Sequence, residues 1–269
     1  MANSKNPKGV LVDLSKCIGC RGCQVACKQW NQLPAELTTW EGNYENPSTI
    51  KCNTYTKVRF VEGYQNQKFF WKFIKTQCMH CKHPACVSAC LVGALYKTDE
   101  GPVVYNSQKC IGCRYCMVAC PFNIPTFEWD KVLPLIKKCT FCFDRINGNK
   151  KPSCVQTCPS ASLQFGDYKD ILNEAEKRIK KYPDKYINHI YGKDEVGGTS
   201  WLYISNVPFE KLGFNTNLPK DPLPQLTWKA LSKIPAVVGG LAVVLTGLYF
   251  IIQKREEGFA KNKQNKKEG

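Results

Sequence analysis

Sixteen of the seventeen cysteines in this chain fall into four groups of four, and their spacing suits one kind of chemistry. The groups are Cys17, Cys20, Cys23 and Cys27; Cys78, Cys81, Cys86 and Cys90; Cys110, Cys113, Cys116 and Cys120; and Cys139, Cys142, Cys154 and Cys158. In a C-x2-C-x2-C run a short loop can wrap one iron–sulfur cube and supply three thiolates. The cysteine after the next three-residue gap starts a helix that points away, so it serves a neighbouring cluster, and proline often follows it. The first and third groups match this pattern, while the second and fourth carry longer middle gaps that add a loop and remove no ligand. Pro121 and Pro159 follow two of the groups; Lys28 and Leu91 stand in that place at the other two. Four groups imply four [4Fe–4S] clusters, and a chain that holds them beside no catalytic motif reads as an electron wire.

Other uses of cysteine fit less well. Four-cysteine zinc sites also use C-x2-C pairs, but they join two separated pairs and seldom run three cysteines at two-residue gaps. A zinc-stapled, membrane-tethered scaffold is the alternative from a different functional class. Cysteines this close in sequence bridge poorly as disulfides, and a chain of 269 residues can bury its own core. Cys52, alone among polar neighbours, reads as a free structural thiol. His80 and His83 lie inside the second group, where packing or hydrogen bonding near a cluster is expected of them, and His189 has no evident partner in the sequence. There is no G-x-G-x-x-G, P-loop or G-x-S-x-G run, so no catalytic residue is expected.

The formal charge of +16 counts every cysteine as neutral. A [4Fe–4S] core held by four thiolates carries about −2, so four of them leave the loaded protein near roughly +8. Much of the basicity therefore balances the clusters. No basic stripe with interleaved aromatics is present, and nucleic acid is not an expected partner.

The elements that would position these cysteines are short. Strands are expected at 9–14, 56–60, 68–75, 93–96, 103–105, 161–165 and 201–207, with a hairpin turn at 62–67. A helix is expected to begin over 25–30, and an amphipathic, solvated one over 168–180. Residues 31–56 read as a polar excursion and 208–227 as a proline-rich approach to the membrane. The fold class that follows is α+β: two nested ferredoxin-like units with a single C-terminal transmembrane helix. Residues 1–75 and 137–170 would form the outer unit and 76–136 the inner one. An extension at 171–227, a membrane helix at 230–253 and a basic cytoplasmic tail at 254–269 complete the chain.

Residues 234–252 hold no charge. As a helix they span about 29 Å, close to the roughly 30 Å hydrocarbon core of a bilayer. Trp228 and Tyr249 lie near the ends as interface anchors, and Pro235 sits where a helix start tolerates it. Ala236, Gly240 and Gly247 share one helical face on which another membrane helix could pack closely. Lys254, Arg255, Lys261, Lys263, Lys266 and Lys267 follow the span, against Lys220, Lys229 and Lys233 before it. The positive-inside rule then puts the C-terminus in the cytoplasm and the cysteine-rich part on the periplasmic face of the inner membrane. The N-terminal residues show no apolar signal core, so export bound to a partner that bears a twin-arginine signal is expected.

The motifs C-I-G-C-R-G-C-Q-V-A-C-K-Q-W-N (17–31), C-M-H-C (78–81), C-P-F-N-I-P (120–125), C-T-F-C-F-D-R (139–145), E-V-G-G-T (195–199) and L-P-K-D-P (218–222), with the terminal anchor, extend over nearly the whole chain. Together they resemble the iron–sulfur beta subunit of membrane-bound formate dehydrogenases. Leu91, where that family often has proline, is a departure that bears on a loop. The resemblance implies one cluster on Cys17, Cys20, Cys23 and Cys158, and its pseudo-twofold mate on Cys139, Cys142, Cys154 and Cys27. It implies an inner pair on Cys78, Cys81, Cys86 and Cys120, and on Cys110, Cys113, Cys116 and Cys90. It also implies a molybdenum- or tungsten-pterin alpha subunit as electron donor, and a membrane cytochrome b (gamma) subunit or quinone as acceptor. Residues 207–213 (V-P-F-E-K-L-G) and 113–120 also resemble subunits of membrane-bound uptake hydrogenases, which leaves the same wire in another complex as the alternative.

Overall fold

In a computed structural model of the chain, residues 6–265 are described. Residues 1–5, which open the expected outer unit and the N-terminal segment read as lacking a signal core, lie outside them, as do Lys266 and Lys267 of the basic tail. The chain divides into two compact units, Met1–Pro224 and Gln225–Gly269.

The first unit is built on a three-stranded sheet. Strand β1 (Lys8–Asp13) is followed by helix α1 (Gly22–Trp30) and a long hairpin, β2 (Thr56–Gln65) and β3 (Lys68–Gln77). The middle segment holds α2 (Ala85–Ser88), β4 (Leu95–Lys97), β5 (Val103–Tyr105), α3 (Tyr115–Val118), β6 (Thr126–Phe127) and β7 (Ile136–Lys137). Then come α4 (Phe143–Asn147), α5 (Ser153–Gln156), β8 (Leu163–Asp167), α6 (Tyr168–Lys181) and β9 (Trp201–Ile204). The sheet order is β8-β1-β9, with β8 antiparallel and β9 parallel to β1. Strand pairing thus ties the N-terminal segment to the segments that follow the last cysteine group, while β4–β5 and β6–β7 pair locally.

Alternation along the central strand sorts the core, as the twofold period of a strand requires. Leu11, Leu202 and Ile204 face Ile171, Ala175 and Ile179 of α6. Val10, Val12, Trp201 and Tyr203 face the other way, towards Cys23, Phe141 and Cys154. One face of the sheet is therefore covered by an amphipathic helix and the other by cysteine loops. At the edge of that core Asp13, fully buried, accepts from Tyr186 Oη at 2.9 Å and from Arg178 Nη1 at 3.2 Å.

Most expected strands are present with small shifts, and the shifts have reasons. The hairpin strands run on to Gln65 and from Lys68 because Asn66 and Gln67 both take positive φ (50° and 62°), which closes a two-residue turn of the hairpin-favoured hand. Strand β8 begins at Leu163 instead of 161, since Ala161 is itself left-handed (φ 50°). The strand expected at 201–207 stops at Ile204. The short helices α2, α3, α4 and α5, and the pair β6–β7, were not expected from periodicity, which such short elements do not display.

Helix α7 (Leu223–Leu231), which begins in the last two residues of the first unit, forms where a proline-rich approach was expected; Pro224 falls in its first turn, where a missing N–H costs nothing. Helix α8 runs from Ile234 to Asn265, beyond the expected end at 253. Its stretch Ile234–Gly258 is long and apolar enough to cross a membrane. Apolar side chains such as Val237, Leu241, Val244 and Leu248 are exposed within the second unit, and a Cβ at Gly240 or Gly247 would meet open space.

Candidate iron–sulfur cluster sites

Cys17 and Cys20 come from the loop between β1 and α1, and Cys23 from the first turn of α1. Left-handed residues Gly19 (φ 69°) and Arg21 (φ 59°) curl that loop inward. A Cβ on Gly19 would lie 2.9 Å from the Phe73 ring, so glycine is required there. The three cysteines and Cys158, from the end of α5, line one void together with Val58, Lys75 and Leu163. Cys158 Sγ lies 3.7 Å from Ser160 Oγ.

Cys139 and Cys142, from the loop after β7, line a second void with Cys154 on α5 and Cys27 on α1. Here Phe141 N donates to Cys139 Sγ at 3.4 Å and Asn31 Nδ2 approaches Cys27 Sγ at 3.6 Å. Helices α1 and α5 lie against each other, and Ser153 Oγ donates to Ala26 O at 3.0 Å. That packing lets each helix send its terminal cysteine into the void begun by the other's loop.

The middle segment repeats the theme. Cys81 and Cys86 lie near Cys78 and Cys120. Backbone N–H groups of Phe122, Asn123 and Ile124 point at the Cys120 thiol. Cys116 lies near Cys113, Cys90 and Cys110. Ala94 N donates to Cys90 Sγ at 3.2 Å and Gly112 N to Cys110 Sγ at 3.4 Å. Arg114 (φ 63°) stands in this loop as Arg21 does in the first. The two voids thus bring Cys158 to Cys17, Cys20 and Cys23, and Cys27 to Cys139, Cys142 and Cys154, while in the middle segment Cys120 lies near Cys78, Cys81 and Cys86, and Cys90 near Cys116.

Burial, reinforced by neighbouring thiolates, pushes Cys23, Cys27 and Cys86 up to about 12 and Cys116 and Cys142 up to about 11. Without a cation these groups stay protonated at neutral pH, so iron binding must release protons. Four mutually repelling thiolates in one place need a large positive core between them, and the donor chemistry fits an iron–sulfur cube. Among the described residues no three His, Cys, Asp or Glu side chains meet at single-ion spacing. Tetrahedral zinc would need its sulfurs only about 3.8 Å apart at Zn–S bonds of about 2.3 Å.

Residues beside the cysteines acquire roles that spacing alone does not reveal. Trp30 Nε1 donates to Asp144 Oδ2 at 2.9 Å, and the Arg145 guanidinium lies 4.3 Å from the centre of the Trp30 ring. The Trp of the first motif and the D-R of the fourth thus meet at the end of α1, while Asn31 turns back to Cys27. Val196 N donates to Pro219 O and Gly197 N to Lys220 O, which joins the 195–199 and 218–222 motifs. His80 is fully buried, accepts from Val103 N at Nδ1 (2.9 Å) and stacks near Phe141, the packing role expected of it. A Cβ on Gly197 would come within 3.2 Å of the His83 ring. His189 does have a partner: its Nε2 lies 2.8 Å from Glu195 Oε1, brought close by the loop before β9. Cys52 Sγ contacts Asn53 Oδ1 and lines neither void. Lys75, which lines both voids of the first pair, carried no sequence signal; it reads as one more alternating position of β3.

A family model described as "4Fe-4S dicluster domain" matches residues 69–168. A Nitratidesulfovibrio vulgaris protein is 43% identical over 94% of this chain and 69% of its own length. The nitrate-inducible formate dehydrogenase iron–sulfur subunit of Escherichia coli K12 is 38% identical over 89% of this chain and 82% of its own. The hydrogenase-2 operon protein HybA of Escherichia coli O157:H7 is 32% identical over 88% and 83%. With identity at this level across most of both sequences, the chain belongs to the family of formate dehydrogenase iron–sulfur subunits.

Proposed function

We propose that this chain is the electron-relay subunit of a membrane-bound formate dehydrogenase, itself without catalytic residues. It would take electrons from a molybdenum- or tungsten-pterin alpha subunit and pass them to a membrane cytochrome b or quinone. The reading rests above all on the meeting in space of cysteines from different sequence groups. Cys17, Cys20, Cys23 and Cys158 would hold one [4Fe–4S] cluster, and Cys27, Cys139, Cys142 and Cys154 a second. Cys78, Cys81, Cys86 and Cys120 would hold a third, and Cys90, Cys110, Cys113 and Cys116 a fourth. When bound, such a cluster supplies a one-electron store whose potential depends on hydrogen bonds to sulfur, net charge and burial. The residues present supply those controls. Backbone N–H groups of Phe141, Ala94 and Gly112 donate to sulfur, and the sheet face of Trp201 and Tyr203 excludes water.

The pairing of β1 with β8 and β9 around a locally paired middle segment supports the nested organisation, an outer unit enclosing an inner one. The apolar stretch Ile234–Gly258 supports a single-pass anchor. The basic residues after it favour a cytoplasmic C-terminus and a periplasmic cluster unit, exported with a partner that bears the signal. Ala236, Gly240 and Gly247 would receive a helix of the membrane subunit. Gly240→Leu should abolish co-purification with that subunit while iron content stays normal; unchanged co-purification would discard this face.

The likeness to HybA favours one second reading, the same relay fed by a hydrogenase. The test is low-temperature EPR on the anaerobically purified native complex after addition of formate and, separately, of hydrogen. Cluster reduction by formate is expected. Reduction by hydrogen alone would move the chain to a hydrogenase complex, and protein without iron or sulfide would end the relay reading.

A further inference from the structure

Lys75 is a buried lysine whose hydrogen-bond acceptors are all neutral. Its ammonium donates to Thr56 Oγ1 and Gln77 Oε1, both at 2.8 Å, and sits 4.5 Å from the centre of the Trp201 ring. A closed set of bonds fixes it there. Gln77 Nε2 donates to Tyr203 Oη (2.7 Å), and Tyr203 Oη donates to the Lys75 carbonyl (2.9 Å). Lys75 lines the void of Cys17, Cys20, Cys23 and Cys158 and also that of Cys27, Cys139, Cys142 and Cys154. A buried cation without a carboxylate partner is costly unless other negative charge stands near it. Among the described residues, the groups it shares two voids with that could carry such charge are the cysteines.

We propose that Lys75 is a positioning residue for electron transfer, a fixed cation shared by the two outer sites that raises the reduction potential of both. The inference rests on the cluster reading given above. Each site gains one negative charge on accepting an electron from the donor subunit, passing from about −2 to about −3. A nearby positive charge in a low-dielectric interior stabilises the reduced state more than the oxidised one. Burial alone would lower the basicity of Lys75. The negative charge of two loaded sites beside it would oppose that and keep the ammonium protonated. Thr56 and Trp201, which hold the ammonium, line the second void and not the first, and the effect should be larger there.

The test is potentiometric EPR on the native complex carrying Lys75→Gln, Lys75→Met or Lys75→Arg, with iron and acid-labile sulfide measured alongside. Loaded Lys75→Gln and Lys75→Met should show both outer potentials lowered, the Cys27 site more than the Cys17 site, with the inner pair unmoved and Lys75→Arg close to wild type. Unchanged outer potentials at full cluster content, or equal shifts at all four clusters, would overturn the proposal. If the neutral variants lose only the outer clusters and Lys75→Arg keeps them, the positive charge is what the outer pair requires, which supports it. Loss in Lys75→Arg as well would show a merely steric role and overturn it. A wild-type complex without clusters would instead refute the cluster reading itself.

Discussion

Cys27 and Cys139 meet only after the chain has passed through the entire middle segment, whereas Cys90 and Cys110 are joined through the β4–β5 hairpin alone. The two pairs of sites differ accordingly. Of the eight outer cysteines, Cys23, Cys27, Cys139, Cys142 and Cys154 are buried; of the eight inner ones only Cys78 and Cys116 are. The outer voids lie under the sheet face of Trp201 and Tyr203, while the inner sets rest on a small cluster around Leu95, Val103 and Phe127. Their buried lysines also differ. Lys97 spends its ammonium on the backbone carbonyls of His80, Cys81 and Gly101, and burial lowers it to about 8. Lys75 donates instead to two side-chain oxygens, Thr56 Oγ1 and Gln77 Oε1, and lines the voids of two sites. A site assembled from distant segments needs a large core to offset the cost of closing long loops. That core in turn removes water and leaves charge control to a few fixed groups. A locally assembled site needs little core and keeps solvent nearby.

The largest expected effect comes from stripping the clusters from the anaerobic protein by oxidation and chelation. Structural metal contributes on the order of 10 kcal/mol in small domains, and the chain's own core is spread thinly over four sites. Circular dichroism should show loss of cooperative melting, with the 78–120 segment becoming protease-sensitive first. If that segment survived longer than the outer region, the contrast between the two pairs would be wrong.

Single core truncations come next. Trp201→Ala should destabilise the outer region by about 3–5 kcal/mol, since it removes a wholly buried indole that lines the void of Cys27, Cys139, Cys142 and Cys154. Leu95→Ala should cost about 2–5 kcal/mol in the inner region alone. Hydrogen exchange on loaded protein separates them: Trp201→Ala should raise exchange in β1, β8 and β9, and Leu95→Ala only in β4, β5 and their neighbours. Uniform exchange in both variants would mean that the two regions unfold as one.

These regions were not equally legible from residue order. The cysteine groups, the strands around them and the apolar span stand out because each has a short-range signature, such as a fixed gap, an alternation or an uncharged run. The sheet that brings Cys27 to Cys139 has none. That β9 would lie parallel to β1 depends on packing between segments nearly two hundred residues apart in numbering, Val10 against Trp201. Trp30 and Asp144 were visible as motif residues, but their contact depends on the end of α1 meeting α4 across more than a hundred positions, and His189 looked solitary because the loop before β9 is what brings Glu195 to it. Lys75 was invisible because burial, not type, makes it informative.

A smaller effect would sharpen the α1–α5 contact. Ser153→Ala removes the hydroxyl that donates to Ala26 O and should cost about 1 kcal/mol, read as a lower denaturation midpoint in guanidinium with the EPR spectrum unchanged. A changed signal from the second outer site would mean that this bond aims Cys154.

The most direct test of stitching across distant groups is Cys27→Ser, examined by low-temperature EPR in the reduced, anaerobic complex. Cys27 stands beside Cys23 in sequence but lines the void of Cys139, Cys142 and Cys154. The expected result is loss or conversion of the one cluster held by those three residues, with the signal from the Cys17, Cys20, Cys23 and Cys158 site intact. Loss of the Cys17 site with the Cys139 site preserved would contradict it, and would mean that each sequence group holds its own cluster.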